Sequence, residues 1–273
     1  MAITGIKPIW VGLGRAAGGA VVFTLPIMMT MEMWQLGFYI SPLRLVALIV
    51  LSLPLFISLS SLVGFRKSKG FIDNVTDVFV AYAVTFVATG LVLVTLGIIT
   101  FDTKPGVIYT MLLLQAVPGT LGALLARNIV GESSEQDEDE DQDRNYRDDL
   151  TILAAGALFL AFSLAPTEEM ILLSYMMSTK HTLFLLLLTL PLMHAFSIAG
   201  ANVSGDDLKQ WSTHRELFLR FTSIGYLIAF IISIFMLWVF ESTGDQSVHN
   251  MIKTTIVLAF PAGIGAAASR LIL

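Results

Sequence analysis

The chain contains no cysteine. Disulfides, thiolate metal sites and cysteine nucleophiles are therefore excluded. Charge is scarce too, at 14% of residues. No basic patch lies outside the flanks of the apolar runs, which argues against nucleic acid as a partner. No phosphate-binding loop is present, so ATP-driven pumping by this chain alone is not expected. The stretch GLGRAAGG at 12–19 superficially echoes a dinucleotide fingerprint. No strand precedes it and no βαβ unit follows, so that reading fails. Gly14 and Gly18 within it form a GxxxG pair, which predicts close helix packing, as do the Gly and Ala residues near 118–123 and 261–266. Nothing in the residues calls for a metal or a cofactor.

What is present is apolar surface. Mean hydropathy is +0.78 and 55% of residues are hydrophobic. Several apolar runs reach about 20 residues, the length that crosses a hydrocarbon core. The class is an all-α, polytopic membrane protein. Eight spans are expected, near 16–40, 43–64, 75–100, 107–129, 150–177, 182–203, 217–240 and 250–271. The first run follows Arg15 and is long enough to remain in the membrane, so no cleaved signal peptide is expected. Two connections are longer. One is the acidic stretch 131–149, which holds ten of the 21 acidic residues and cannot bury enough apolar surface to fold. With only Arg144 and Arg147 to offset them, these acids make the net charge of −5 misleading for the rest of the chain. The other, 204–216, reads as a loop leading into an interfacial helix.

Lys and Arg set the orientation. With the N-terminus in the cytoplasm, 12 of the 16 basic residues fall on the inside and only Arg44, Lys104, Lys180 and Lys253 outside. Both termini and the acidic linker are then cytoplasmic. Trp10 and Trp211 fall at the inner interface, and Trp34 and Trp238 toward the outer one.

A pattern recurs along the chain. Thr30, Glu32, Met33, Ser41, Pro54 and Ser60 match Thr167, Glu169, Met170, Ser178, Pro191 and Ser197 at a constant offset of 137. Pro118, Gly122, Ala123 and Arg127 match Pro261, Gly265, Ala266 and Arg270 at an offset of 143. Tyr82 with Tyr226 and Phe86 with Phe230 continue the match more thinly. The chain therefore reads as a four-helix repeat at 1–130, an acidic linker at 131–149 and a second four-helix repeat at 150–273. Four spans return the chain to its starting side, so the halves are expected to be parallel, about a pseudo-two-fold axis along the membrane normal.

The repeated carboxylates lead the functional reading. A carboxylate inside a membrane span is costly and marks a functional site by default. Glu32 and Glu169 sit in such spans, with Thr30 and Thr167 beside them and Pro26 and Pro166 just before. A mid-span proline frees a carbonyl one turn back. Freed carbonyls, a hydroxyl and a carboxylate suit a dehydrated cation or a proton. In a homodimer, four such Glu would form a cation-selecting ring. The alternative is that each Glu only fixes helix packing. Glu168 has Met31 as its counterpart. It either pairs with Glu169, raising one pKa, or faces the interface. His194 either relays protons or packs as a hydrogen-bonded core residue. Met28, Met29, Met31 and Met33 resemble a soft copper(I) set, but no His or Cys joins them, and a pliable apolar face is the simpler account. Asp73 and Asp77 read as acids at a helix N-terminus. Pro118 and Pro261 are expected to kink their spans. Arg127 and Arg270 read as helix-end anchors, an inner gate or a lipid site.

The stretches LPIMMTMEMWQLGFY, LQAVPGTLGALLAR, LAFSLAPTEEM and FPAGIGAAASRLIL resemble a prokaryotic family of integral membrane proteins known as a domain of unknown function. The resemblance covers nearly all of the chain except the acidic linker. It implies an eight-span protein of the prokaryotic cytoplasmic membrane and supplies no activity. The residues favour a non-enzymatic cation or proton channel or carrier in the lipid bilayer, assembled as a homo-oligomer, dimer or higher. A sensor or scaffold is the alternative. An intramembrane glutamate protease is a further one: Glu168-Glu169 and His194 look similar to such a site, but Leu173 and Leu190 stand where that pattern needs Arg and Phe.

Overall fold

The computed structural model describes residues 6–63, 70–130, 145–203, 214–244 and 246–272. Among these residues the chain is helical throughout and contains no strand. The helices are α1 (Ile6–Met28), α2 (Met31–Tyr39), α3 (Pro42–Val63), α4 (Phe71–Thr95), α5 (Pro105–Val130), α6 (Tyr146–Leu164), α7 (Glu168–Met176), α8 (Thr179–Val203), α9 (His214–Leu217), α10 (Ile224–Val239) and α11 (Val248–Ile272). A π-helical stretch, Phe218–Ser223, joins α9 to α10. Seven of the described helical segments are long and apolar enough to cross a membrane, and the bent pair α6–α7 makes an eighth. The acidic stretch 131–144 and residues 204–213, with Trp211, lie outside the described residues.

The chain divides into unit 1, Met1–Asp148, and unit 2, Asp149–Leu273. Each has the same order: a broken helix, a long helix, and two more long helices, the last of them central.

The single spans expected over 16–40 and 150–177 are each two helices. In unit 2, Pro166 has no N–H to continue the ladder, and the helix ends one turn before Glu168. The chain turns through 87° into α7. In unit 1, Pro26 lies inside α1, and the break follows at Met29 and Thr30. Both threonines adopt extended backbone, Thr30 at φ −93°, ψ 134° and Thr167 at φ −80°, ψ 142°. Neither hydroxyl caps the helix that follows. Each turns back instead: Thr30 Oγ1 donates to the Ile27 carbonyl and Thr167 Oγ1 to that of Leu164, both at 2.8 Å. The same carbonyls also accept the backbone N–H of these threonines, each at 3.1 Å, so the turn at each break is closed within the chain, as a water-poor environment demands. Pro118 and Pro261 lie within continuous helices, α5 and α11.

Two further boundaries differ from expectation. The fourth helix begins at Phe71, so Asp73 alone occupies its first turn; Asp77 lies a full turn further in and is buried. The sixth helix begins at Tyr146, inside the stretch read as linker. There the Asn145 N–H donates to Asp148 Oδ2 at 3.1 Å, a carboxylate reaching back over the first turn in capping-box fashion.

In unit 1 the central contact is backbone on backbone. A Cβ on Gly19 of α1 would strike the Gly122 carbonyl of α5, and one on Gly122 would strike the Gly19 carbonyl. Unit 2 repeats this with Gly156 of α6 and Gly265 of α11. Small residues permit such approach, and in lipid van der Waals packing is a main source of helix association. The close packing expected at Gly14 and Gly18 is absent: both face outward and nothing lies within 4 Å of either Cβ position. The contact falls instead on the next glycine, Gly19.

Replacing Gly122 or Gly265 by Val should lower the thermal midpoint of the detergent-solubilised protein, at a cost of about 1–3 kcal/mol from overpacking. Gly14→Ala should leave it unchanged or raise it, since Ala is the better helix former by about 1 kcal/mol. Differential scanning of the three variants decides this.

Candidate functional site

The helix breaks place the repeated carboxylates. Glu32 is the second residue of α2, and Glu169 the second of α7, behind Glu168 at the first position. Each begins a nine-residue helix whose N-terminal N–H groups favour negative charge, an effect of about 0.3–1 kcal/mol at exposed sites. The carboxylates therefore stand at the ends of α1 and α6, not midway along unbroken spans. Glu32 is half-buried, while Glu168 and Glu169 are exposed. None of the three makes a hydrogen bond or ion pair among the described residues, so Glu168 and Glu169 are not joined to each other or to His194. Thr30 and Thr167 are half-buried, their hydroxyls bound to the preceding helix as described above.

His194 lies well along α8, half-buried. Its Nδ1 is 3.2 Å from Thr222 Oγ1, and its ring meets Phe218 edge-on at 5.4 Å. Both partners belong to the π-helical stretch. Of the four methionines, Met28 and Met33 are buried whereas Met29 and Met31 are exposed, so the four thioethers do not converge. Among the described residues no cluster of His, Asp or Glu could hold a metal ion. Trp34 is not simply an interfacial residue: it packs on a core cluster of Met28, Leu93, Ile99, Met111 and Leu112.

The side chain of Arg127 lies outside the described residues. Arg270 is enclosed in unit 2. Its Nε is 3.3 Å from Asp149 Oδ1, with side chains only 4% and 8% exposed, and its guanidinium sits 3.8 Å above the Phe221 ring. Asp149 reaches this position because α6 begins before it.

Sequence reasoning missed the polar seat of α7. Lys253 of α11 is buried, and its Nζ donates to the Met177 carbonyl at 2.6 Å, placing a cation at the C-terminus of α7. Thr254 Oγ1 lies 2.8 Å from Ser174 Oγ and 3.0 Å from Gln246 Oε1. Gln246 Nε2 donates to the Ser242 carbonyl, and Ser242 Oγ to that of Ala165 in the break. At the repeat offsets, Ser174 and Thr254 correspond to Gly37 and Met111, which touch in unit 1. The one available signal was Lys253 itself, an isolated cation beside an apolar run.

One family model matches residues 12–273, nearly the whole chain. The chain belongs to the family described as "Putative integral membrane protein (DUF2391)". As a member of that family it is an integral membrane protein in contact with the bilayer, and the motif resemblance points the same way. No curated protein and no solved structure matches it.

Breaking the buried pair should be costly: Arg270→Gln or Asp149→Asn is expected to lose about 3–5 kcal/mol, because one charge stays buried without its partner. Arg270→Met combined with Asp149→Leu should recover most of the lost thermal midpoint. A double-mutant cycle by thermal unfolding measures both.

Proposed function

We propose that this membrane protein transports cations, as a channel or carrier, with Glu32 and Glu169 drawing the ion to the helix breaks. The supporting observation is that both units place a Glu at the second position of a short helix, directly after a break closed by a Thr hydroxyl. A broken helix sets carbonyl ends and a carboxylate side by side, which is the chemistry that coordinates sodium ions or protons in transporters with discontinuous helices. An exposed or half-exposed carboxylate at each break concentrates cations near it. A homo-oligomer, dimer or higher, belongs to this proposal, since it multiplies the carboxylates available to one pore. So does a cytoplasmic membrane with both termini inside, following the Lys and Arg bias.

Flux of protons, K⁺, Na⁺ and Ca²⁺ into liposomes carrying the protein tests the reading, with Glu32→Gln, Glu169→Gln and the double variant alongside. Wild type should conduct at least one of these ions. Either Gln change should slow it about tenfold or alter its selectivity, the lower end of what focused charge contributes to ion entry. Flux indifferent to both changes removes the glutamates from the path, and no flux at any pH or voltage overturns transport.

A further inference from the structure

Unit 2 holds one stretch that departs from the α-helix, Phe218–Ser223 between α9 and α10. π-Helical turns are rare and fall frequently at functional sites. Two neighbours grip this one. From α8, the His194 ring meets Phe218 edge-on, and its Nδ1 is 3.2 Å from Thr222 Oγ1. From α11, the Arg270 guanidinium covers the Phe221 ring. The fold does not require this arrangement. At the repeat offsets the stretch corresponds to residues 74–79 of unit 1, which run as regular α-helix within α4. His194 and Thr222 correspond to Ile57 and Val78 there. The His–Thr pair and the π-helical stretch thus occur together in one unit and are both missing from the other.

Thr222 is 0% exposed, so its hydroxyl must be satisfied within the protein. Thr24, Thr89, Thr189 and Ser233 each donate to the carbonyl four residues back. Thr222 makes no such bond. Among the described residues its hydrogen-bond partner is His194 Nδ1. Nδ1 accepts a hydrogen only while the imidazole is neutral with its proton on Nε2; in the imidazolium both nitrogens donate. The hydroxyl can then accept from Nδ1–H, but its own hydrogen loses its acceptor. The replacement at hand is the backbone carbonyl four residues back, which the other hydroxyls use in regular α-helix.

We infer that His194 and Thr222 form a proton-operated latch: the neutral imidazole holds Phe218–Ser223 in the π-helical form, and its protonation releases the stretch to α-helix. The inference goes beyond the transport reading and stands without it. Imidazole is the side chain whose charge ordinarily changes between pH 5 and 8. Around it, α9 carries Arg215 and Glu216 and the stretch itself Arg220, all exposed. On α11 stand Arg270 and, toward the other end, His249 and Lys253; Lys180 and His181 lie at the far end of α8. Asp149, the buried acid of unit 2, is engaged by Arg270. Protonation of His194 therefore sets a second cation against six residues that already carry one. Release has a geometric consequence. Passing from bonds across five residues to bonds across four over this stretch turns α9 relative to α10 by about 100°, the rotation of one α-helical residue.

A chain without cysteine suits site-directed spin labelling. Labels at Arg215→Cys and Leu227→Cys, both exposed and on either side of the stretch, report its rotation by double electron–electron resonance on the full chain in nanodiscs. With His194 and Thr222 intact, the interlabel distance should shift by several ångströms, reversibly, between about pH 8 and about pH 5.5, on either side of the imidazole range. His194→Ile and Thr222→Val import the unit 1 residues and should hold the acid distance at both pH values; if one does not fold, the other carries the same test. Nitrogen NMR of the histidine-labelled protein at the higher pH should show the His194 Nδ1 unprotonated, its signal identified by its loss in His194→Ile or, failing that, by its response to Thr222→Val. An interlabel distance that is the same at both pH values overturns the proposal. So does a pH-dependent shift that survives in His194→Ile or Thr222→Val, which places the responsible group elsewhere. A protonated Nδ1 in the neutral ring also overturns it, since the Thr222 hydrogen then has no acceptor there.

Discussion

The contact on which unit 1 depends is the crossing of α1 over α5 at Gly19 and Gly122, where two peptide backbones touch without side chains between them. Two apolar helices in a hydrocarbon gain little by turning away from lipid, so their association rests on close fit. That fit sets the depth of everything else. With the backbones in contact at this level, α5 lies centrally, and Gly119, one turn along, becomes the place where Thr24 and Thr85 come together. Gly156 and Gly265 do the same in unit 2. There Ser269 of α11 adds a bond to the Ile152 carbonyl at 2.8 Å, a turn from the crossing on each helix. Arg270 and Asp149 close the same end with charge.

On this shared frame the units distribute polarity differently. Unit 1 keeps it in the middle, among α1, α4 and α5, and seals the end near Glu32 with Met28, Leu93 and Met111. Unit 2 has Ala161, Ala229, Leu258 and Gly263 where unit 1 has Thr24, Thr85, Gln115 and Thr120, and Ser233 where it has Thr89, and it is polar at the end near Glu169, where Lys253, Thr254, Gln246 and Ser242 hold α7 and the break. Buried polar groups are costly in either place. Their relocation, with the helix order retained, points to different tasks for the two units and not to drift in a uniform core.

The helical class and the spans were legible because an apolar run of membrane length has few other outcomes. The break positions were half legible. Pro26 and Pro166 advertise disruption, but a proline fixes only where a ladder bond is lost. Whether the helix bends or stops depends on the next residues, here Thr30 and Thr167, whose hydroxyls turn back to a carbonyl. The glycine contact was misplaced by one residue: Gly14 and Gly18 have the familiar spacing, yet which face of α1 meets α5 is decided by the partner helix. Lys253, Asp149 and Gln115 were missed for a related reason. A single polar residue at the edge of an apolar run has the same appearance whether it anchors at an interface or reaches inward, and only tertiary packing separates the two.

The seats of the two short helices have a mechanical consequence. α7 carries acids at its N-terminus and the Lys253 ammonium at its C-terminus, so its dipole is balanced at both ends and directional bonds fix its angle. α2 has an acid at its start and no basic residue in its last turn, and Gly37 rests on a methionine side chain. A thioether side chain flexes where a hydrogen-bond pair does not. Of the two carboxylate-bearing elements, α7 is seated by hydrogen bonds and α2 by apolar packing of Trp34 and Gly37, so displacing the first means breaking polar bonds and displacing the second means repacking side chains.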